Sequence, residues 1–106
     1  MNPAPAKLMQ IYFNERAQYK HRSLYVALTQ FLLKKGLFRV TVKRGTMGYG
    51  ATGLIHNPKL SPFASNLPIV LECLDTPERI AEVFPEVQEM VKEGTCVLLD
   101  GTIWGE

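Results

Sequence analysis

Three short runs decide most of what this chain can become. Lys7–Asn14, Pro68–Leu74 and Thr95–Leu99 are apolar at most positions, the pattern of strands covered on both faces. A fourth run, Phe38–Lys43, alternates instead: Phe38, Val40 and Val42 fall on one face, and Arg39, Thr41 and Lys43 on the other. That is a half-exposed strand with a basic outer face. Two segments of helical period lie between the strands. Leu24, Ala27, Leu28, Phe31 and Leu32 recur behind Ser23, a capping residue type. Lys34 and Lys35 suit the negative end of that helix, and Gly36 its stop. Asp75-Thr76-Pro77-Glu78 reads as a second helix start, with proline at the first helical position. Ile80, Val83, Phe84, Val87, Met90 and Val91 trace its apolar stripe. Pro85 predicts a kink or a split in this helix, and Gly94 its end.

The order strand, helix, strand, strand, helix, strand predicts an α+β fold. The expected form is a ferredoxin-like βαββαβ sandwich, a four-stranded antiparallel sheet with two helices on one face. At 106 residues the chain is one domain. It is read as residues 7–106, with residues 1–6, which hold two prolines, as a disordered N-terminal arm. Helices on one face leave the other face of apolar strands wet, which predicts a homo-oligomer that buries it. No apolar run approaches a membrane span and no secretory signal is visible, so no membrane insertion is expected. Cys73 and Cys96 sit in apolar runs without a C-x-x-C partner. They read as buried thiols of a cytoplasmic protein, and His21 and His56 show no metal-ligand spacing.

A formal net charge of +2 hides a polarised chain. Arg16 to Leu71 holds nine cations and no carboxylate, whereas Glu72 to Glu106 holds nine carboxylates against Arg79 and Lys92. Inside the basic stretch, residues 45–66 form a connection longer than a hairpin needs. Gly45, Gly48, Gly50 and Gly53 stud it, Lys43 and Arg44 stand at its entrance, and His56 and Lys59 lie beyond. Glycines allow positive φ and close backbone approach, so this is a candidate phosphate cradle; a plain hairpin loop with solvated charges accounts for it equally well. Thr52-Gly53-Leu54 lacks the lysine of a phosphate-binding P-loop, and no helix pattern opens from the glycines.

Ser61 and Ser65 lie near His56 in sequence, but no carboxylate is placed to orient that histidine, so no catalytic residues and no enzyme are expected. Tyr49 suits stacking on a base or packing the loop against the body. A small nucleic-acid-binding domain is the alternative that the basic stretch raises. A moderate pI of about 8.6 and central strands without an RNA-binding aromatic motif argue against nucleic acid.

Tyr19-Lys-His-Arg-Ser-Leu-Tyr25, Val40-Thr-Val-Lys-Arg-Gly-Thr-Met-Gly-Tyr-Gly50, Ile55-His56, Leu67-Pro-Ile-Val-Leu-Glu72, Asp75-Thr-Pro-Glu-Arg-Ile80 and Phe84-Pro-Glu-Val-Gln-Glu-Met-Val91 recur here in fixed order. On these segments the chain resembles the bacterial and archaeal family called domain of unknown function 190, a PII-like group. His21 stands where that family is expected to carry glycine, Tyr49 where phenylalanine is common, and Asn66 where aspartate is common. The resemblance implies a PII-like homotrimer and a non-enzymatic signal-transduction protein with no obligatory cofactor. It further implies an adenine nucleotide as effector, held in clefts between subunits. A mobile loop, here 45–66, would be presented to a regulated protein or a membrane transporter. By the resemblance Arg44, Gly45, Gly48 and Gly50 would contact phosphates at the loop base, with Lys92 and Gly94 across the cleft. A second group of the same trimer architecture, the CutA-like metal-tolerance proteins, is the runner-up. It would require cysteine and histidine to converge.

Overall fold

A computed structural model describes residues 1–49 and 66–105. In chain order the elements are β1 (Asn2–Asn14), β2 (Gln18–Tyr19), β3 (Arg22–Ser23), α1 (Leu24–Lys34), β4 (Arg39–Arg44), β5 (Pro68–Asp75), α2 (Pro77–Met90) and β6 (Thr95–Gly105). Four strands form one sheet in the order β4-β5-β1-β6, each pair antiparallel. Both helices contribute to a single core with one face of that sheet. This is the ferredoxin-like sandwich that the two-period pattern predicts.

The strands are less uniform than their composition. Met9, Ile11 and Phe13 of β1 and Ile69, Leu71 and Cys73 of β5 are buried, together with Leu24, Leu28 and Leu32 of α1 and Ile80, Val83 and Val87 of α2. The alternate residues point to the other face. The register groups Leu8, Leu74 and Leu99 in one row there, with Val97 in the next row opposite Gln10. A polar line crosses this face: Tyr12 Oη donates to Gln10 Oε1 (3.1 Å), Gln10 Nε2 to Glu72 Oε2 (2.9 Å), and Lys43 Nζ lies 3.0 Å from Glu72 Oε1. The hydrogen bond from Gln10, then that from Lys43, hold the Glu72 carboxyl below its ordinary range.

Several boundaries depart from expectation. The segment expected to be a disordered arm is strand: Pro3 pairs with Trp104, Ala4 with Ile103 and Pro5 with Thr102. Its backbone finds a partner because β6 does not end at Leu99 but continues through Gly101 to Gly105. The polar turn after β1 contains the small hairpin of β2 and β3, whose two turn residues, Lys20 and His21, have φ of 49° and 65°. Two successive positive φ values make a type I′-like turn, which glycine and asparagine favour. Helix α2 is one helix through Pro85, because buried Ile80 and Val83 before it and Val87 and Met90 after it share one core. It ends at Met90 with Val91 as its cap, three residues ahead of Gly94.

Asp75 was legible only as part of a helix start, yet it is 5% exposed and ties four elements together. Its Oδ1 accepts from Thr76 N (2.6 Å), and its Oδ2 accepts from Phe38 N (2.8 Å) and Arg79 Nε (3.0 Å). Arg79 Nη2 in turn donates to the carbonyls of Lys35 (3.1 Å) and Gly36 (2.6 Å), closing the end of α1. Burial alone would raise the Asp75 carboxyl. The N–H groups of Thr76 and Phe38, with Arg79, outweigh it and hold the acid ionised below its ordinary range.

Candidate functional site

Arg44 closes β4 opposite Ile69, and β1 ends at Asn14 opposite Pro68. The register therefore brings the loop base beside the turn that follows β1. Glu15 stands in that turn, the one carboxylate ahead of Glu72 in the sequence. It grips both stems of the loop. Arg44 Nη2 lies 2.6 Å from Glu15 Oε2 on the entering side. On the returning side Leu67 N donates to Glu15 Oε1 (3.3 Å), and Glu15 N donates to Leu67 O (2.9 Å). Arg16 N donates to Asn66 Oδ1 (3.1 Å), and Gly45 N to Pro68 O (2.7 Å). The Glu15 side chain is 18% exposed and that of Arg44 is 54% exposed, so the pair is open to an incoming anion from the arginine side.

The glycines at the loop base serve space more than torsion. A Cβ at Gly45 would lie 2.8 Å from Pro68 Cγ, and one at Gly48 3.2 Å from the same atom. Neither has the positive φ expected of a glycine cradle; both let the backbone close over Pro68. Tyr49 follows with 75% exposure. Gly50 and His56, with the rest of the loop through residue 65, lie outside the described residues.

Lys92 and Gly94 stand in the turn between α2 and β6, where Lys92 is exposed. A Cβ at Gly94 would lie 2.7 Å from Tyr12 O and 2.9 Å from Val91 Cγ1, so glycine is required for this turn to approach β1. Thr95 pairs with Tyr12, which puts the turn at the same end of the sheet as Arg44. The two groups occupy opposite edges, however. Three strand spacings separate β4 from β6, about 14 Å. A single chain does not bring Arg44 and Lys92 together.

Part of the basic stretch is neutralised within the chain: Lys35 Nζ lies 3.9 Å from Glu86 Oε1, besides the Lys43–Glu72 and Arg44–Glu15 pairs. A groove of about 490 Å³ opens between α1, the β2–β3 hairpin and the end of α2. Arg22 and Lys34 line it against Glu86 and Glu89, and none of the expected site residues borders it. Cys73 and Cys96 are free thiols on the two strands flanking β1, opposite Met9 and Ile11. Burial pushes the Cys73 thiol up to about 12, with Asp75 adding to it, and burial also raises Cys96. No group of three or more metal-ligating side chains occurs among the described residues. No helix among them is long and apolar enough to cross a membrane.

Sequence comparison finds the UPF0166 protein of Methanocaldococcus jannaschii, 29% identical over 94 residues, covering 89% of this chain and 86% of that protein. A UPF0166 protein of Aquifex aeolicus is 32% identical over 88 residues, covering 83% and 84%. Among solved structures, CPII of Thiomonas intermedia K12, a nitrogen regulatory PII-like protein bound to ADP, AMP and bicarbonate, superposes with a TM-score of 0.72 at 15% identity, over 96% of this chain and 91% of that one. A putative PII-like signaling protein of Thermus thermophilus gives a TM-score of 0.63 at 19% identity, over 99% and 93%. The fold is thus that of PII-like proteins. Residues 6–103 match the DUF190 family, described as "Uncharacterized ACR", and the chain belongs to this family, domain of unknown function 190.

Proposed function

We propose that this protein is a non-enzymatic, cytoplasmic PII-like regulatory module that works as a homotrimer. It binds an adenine nucleotide in clefts between subunits and presents residues 45–66 to a protein partner. One observation carries the reading. Arg44 with the Gly45–Gly48 turn, and Lys92 with Gly94, lie at one end of the sheet but on its opposite edges. Such a pair of half-sites becomes one site only when a second copy brings its β6 edge to the β4 edge of the first. The apolar row of Leu8, Leu74 and Leu99 gives copies a reason to associate. The ADP and AMP bound by CPII, which shares this fold, support the choice of ligand class.

The signal follows from the stem. In the structure Glu15 holds Arg44 and Leu67 and so ties the two ends of the loop together. A phosphate at the exposed side of Arg44 competes with Glu15 for the guanidinium. Effector binding thereby shifts the loop between two arrangements of its base, and the differential contact is the Arg44–Glu15 pair. Calorimetry with ATP, ADP, AMP and cyclic AMP tests the reading. Saturable binding of at least one of them, weakened by Arg44→Ala, is expected; silence across the set removes the nucleotide, and unchanged affinity in Arg44→Ala removes the site.

A further inference from the structure

The groove between α1, the β2–β3 hairpin and the end of α2 carries opposite charges on its two walls. Arg22 of β3 and Lys34 of α1 stand on one side, Glu86 and Glu89 of α2 on the other. Ala27, Phe31 and Lys34 recur at helical spacing, as do Glu86 and Met90, so each wall is the face of one helix. The floor is apolar: Ala27 and Met90 are buried, and Phe31 and Tyr19 half-buried. The wall charges do not neutralise one another within the chain. Arg22 Nη1 donates to Gln30 Oε1, a neutral acceptor. Glu86 lies 3.9 Å from Lys35, outside hydrogen-bond distance. Lys34 and Glu89 have no ion-pair partner among the described residues. All four wall side chains belong to exposed residues.

We propose that this groove binds a short zwitterionic peptide of two or three apolar residues. Its ammonium end faces Glu86 and Glu89, and its carboxylate end faces Arg22 and Lys34. The charge pattern sets the ligand's polarity, because each wall offers one sign only. The span sets its length. Packed helices lie about 8–10 Å apart, and an extended chain rises about 3.3 Å per residue, so two or three residues cross from wall to wall. A free amino acid carries both charges on one carbon and engages a single wall. The volume of about 490 Å³ is in the lower half of the range for small-ligand sites, about 300–1,000 Å³. The floor takes apolar side chains out of water. A nucleotide or another polyanion does not suit the groove, since Glu86 and Glu89 repel it. The groove lies on the helix side of the sheet, opposite the row of Leu8, Leu74 and Leu99, so the proposed assembly leaves it open. The inference is independent of both the nucleotide and the trimer.

Calorimetry of the full chain with alanyl-leucyl-alanine, its N-acetylated form and its C-amidated form tests this. Saturable binding of the free peptide is expected, with either blocked form about fivefold weaker. Lys34→Ala should weaken the free peptide about fivefold and leave the amide unchanged. Glu89→Ala should weaken the free peptide likewise and leave the acetylated form unchanged. Both positions are exposed, so both variants are expected to fold. No binding of the free peptide at millimolar concentration overturns the proposal. So does a loss in either variant that ignores which end of the peptide is blocked. Equal binding of free and blocked peptides would assign the groove to an apolar segment of a larger protein and overturn the zwitterion. A changed oligomer mass in Lys34→Ala, read by light scattering, would make the groove a contact between copies and overturn it too.

Discussion

Replacing Glu15 with glutamine is expected to tighten effector binding, although Glu15 touches no ligand in the proposed site. Glu15 Oε2 lies 2.6 Å from Arg44 Nη2, so a phosphate that takes this guanidinium must displace the carboxylate and break the ion pair. Opposite unit charges about 4 Å apart attract by about 1 kcal/mol in bulk water and about 4 kcal/mol at the dielectric of a protein surface. The pair is partly exposed, at 18% and 54%, and pairs open to water are worth at most about 1 kcal/mol net. Removing the competing charge is therefore worth about 1 kcal/mol, roughly fivefold in Kd. Glutamine keeps an oxygen to accept from Leu67 N, so the stem retains its neutral bond while losing the competing charge. Calorimetry of wild type, Glu15→Gln and Arg44→Ala with the best-bound nucleotide reads this out. The gain should shrink as salt rises. Equal or weaker binding by Glu15→Gln would refute the competition, because it would make Glu15 a group that orients Arg44 or one with no link to the effector.

Other expectations follow from the same contacts. Asp75→Ala strips acceptors from two backbone N–H groups and from Arg79, and should cost about 3 kcal/mol in urea unfolding. Because the folded pKa of Asp75 is depressed, its contribution is present above the unfolded carboxyl range and is lost as pH falls through the folded value. A wild-type protein that lost no more stability on acidification than Asp75→Ala would contradict this. His21→Gly relieves a residue at φ 65° in the β2–β3 turn; net of the entropy glycine adds to the unfolded chain, a gain of about 0.5–1 kcal/mol is expected in thermal unfolding. Gly94→Ala places a methyl 2.7 Å from Tyr12 O, and should cost about 1–3 kcal/mol while displacing the Lys92 turn. A fully stable Gly94→Ala protein would show that the turn shifts freely.

The elements were legible where a period was sustained. The stripe of α2 and the alternation of β4 follow from local spacing, and together they fix the sandwich. What escaped depends on contacts across the chain. Residues 2–6 have no apolar period and two prolines, so only the partner strand β6 makes them strand. Glu15 looks like an ordinary turn residue until the register of β1, β5 and β4 places Arg44 and Leu67 around it. A lone acid facing a basic stretch was the available signal. What Gly45 and Gly48 do locally, allowing the approach to Pro68 rather than adopting positive φ, also depends on a residue about twenty positions away. The separation of Arg44 from Lys92 required the strand order, which local pattern does not give.

A crystal structure of the assembled protein grown with ADP tests the central claim most directly. The account predicts the phosphates between Arg44 of one protomer and the Lys92–Gly94 turn of its neighbour, with Glu15 moved off Arg44. ADP held within one protomer away from Arg44, or phosphates at Arg44 with its pair to Glu15 intact, would contradict it.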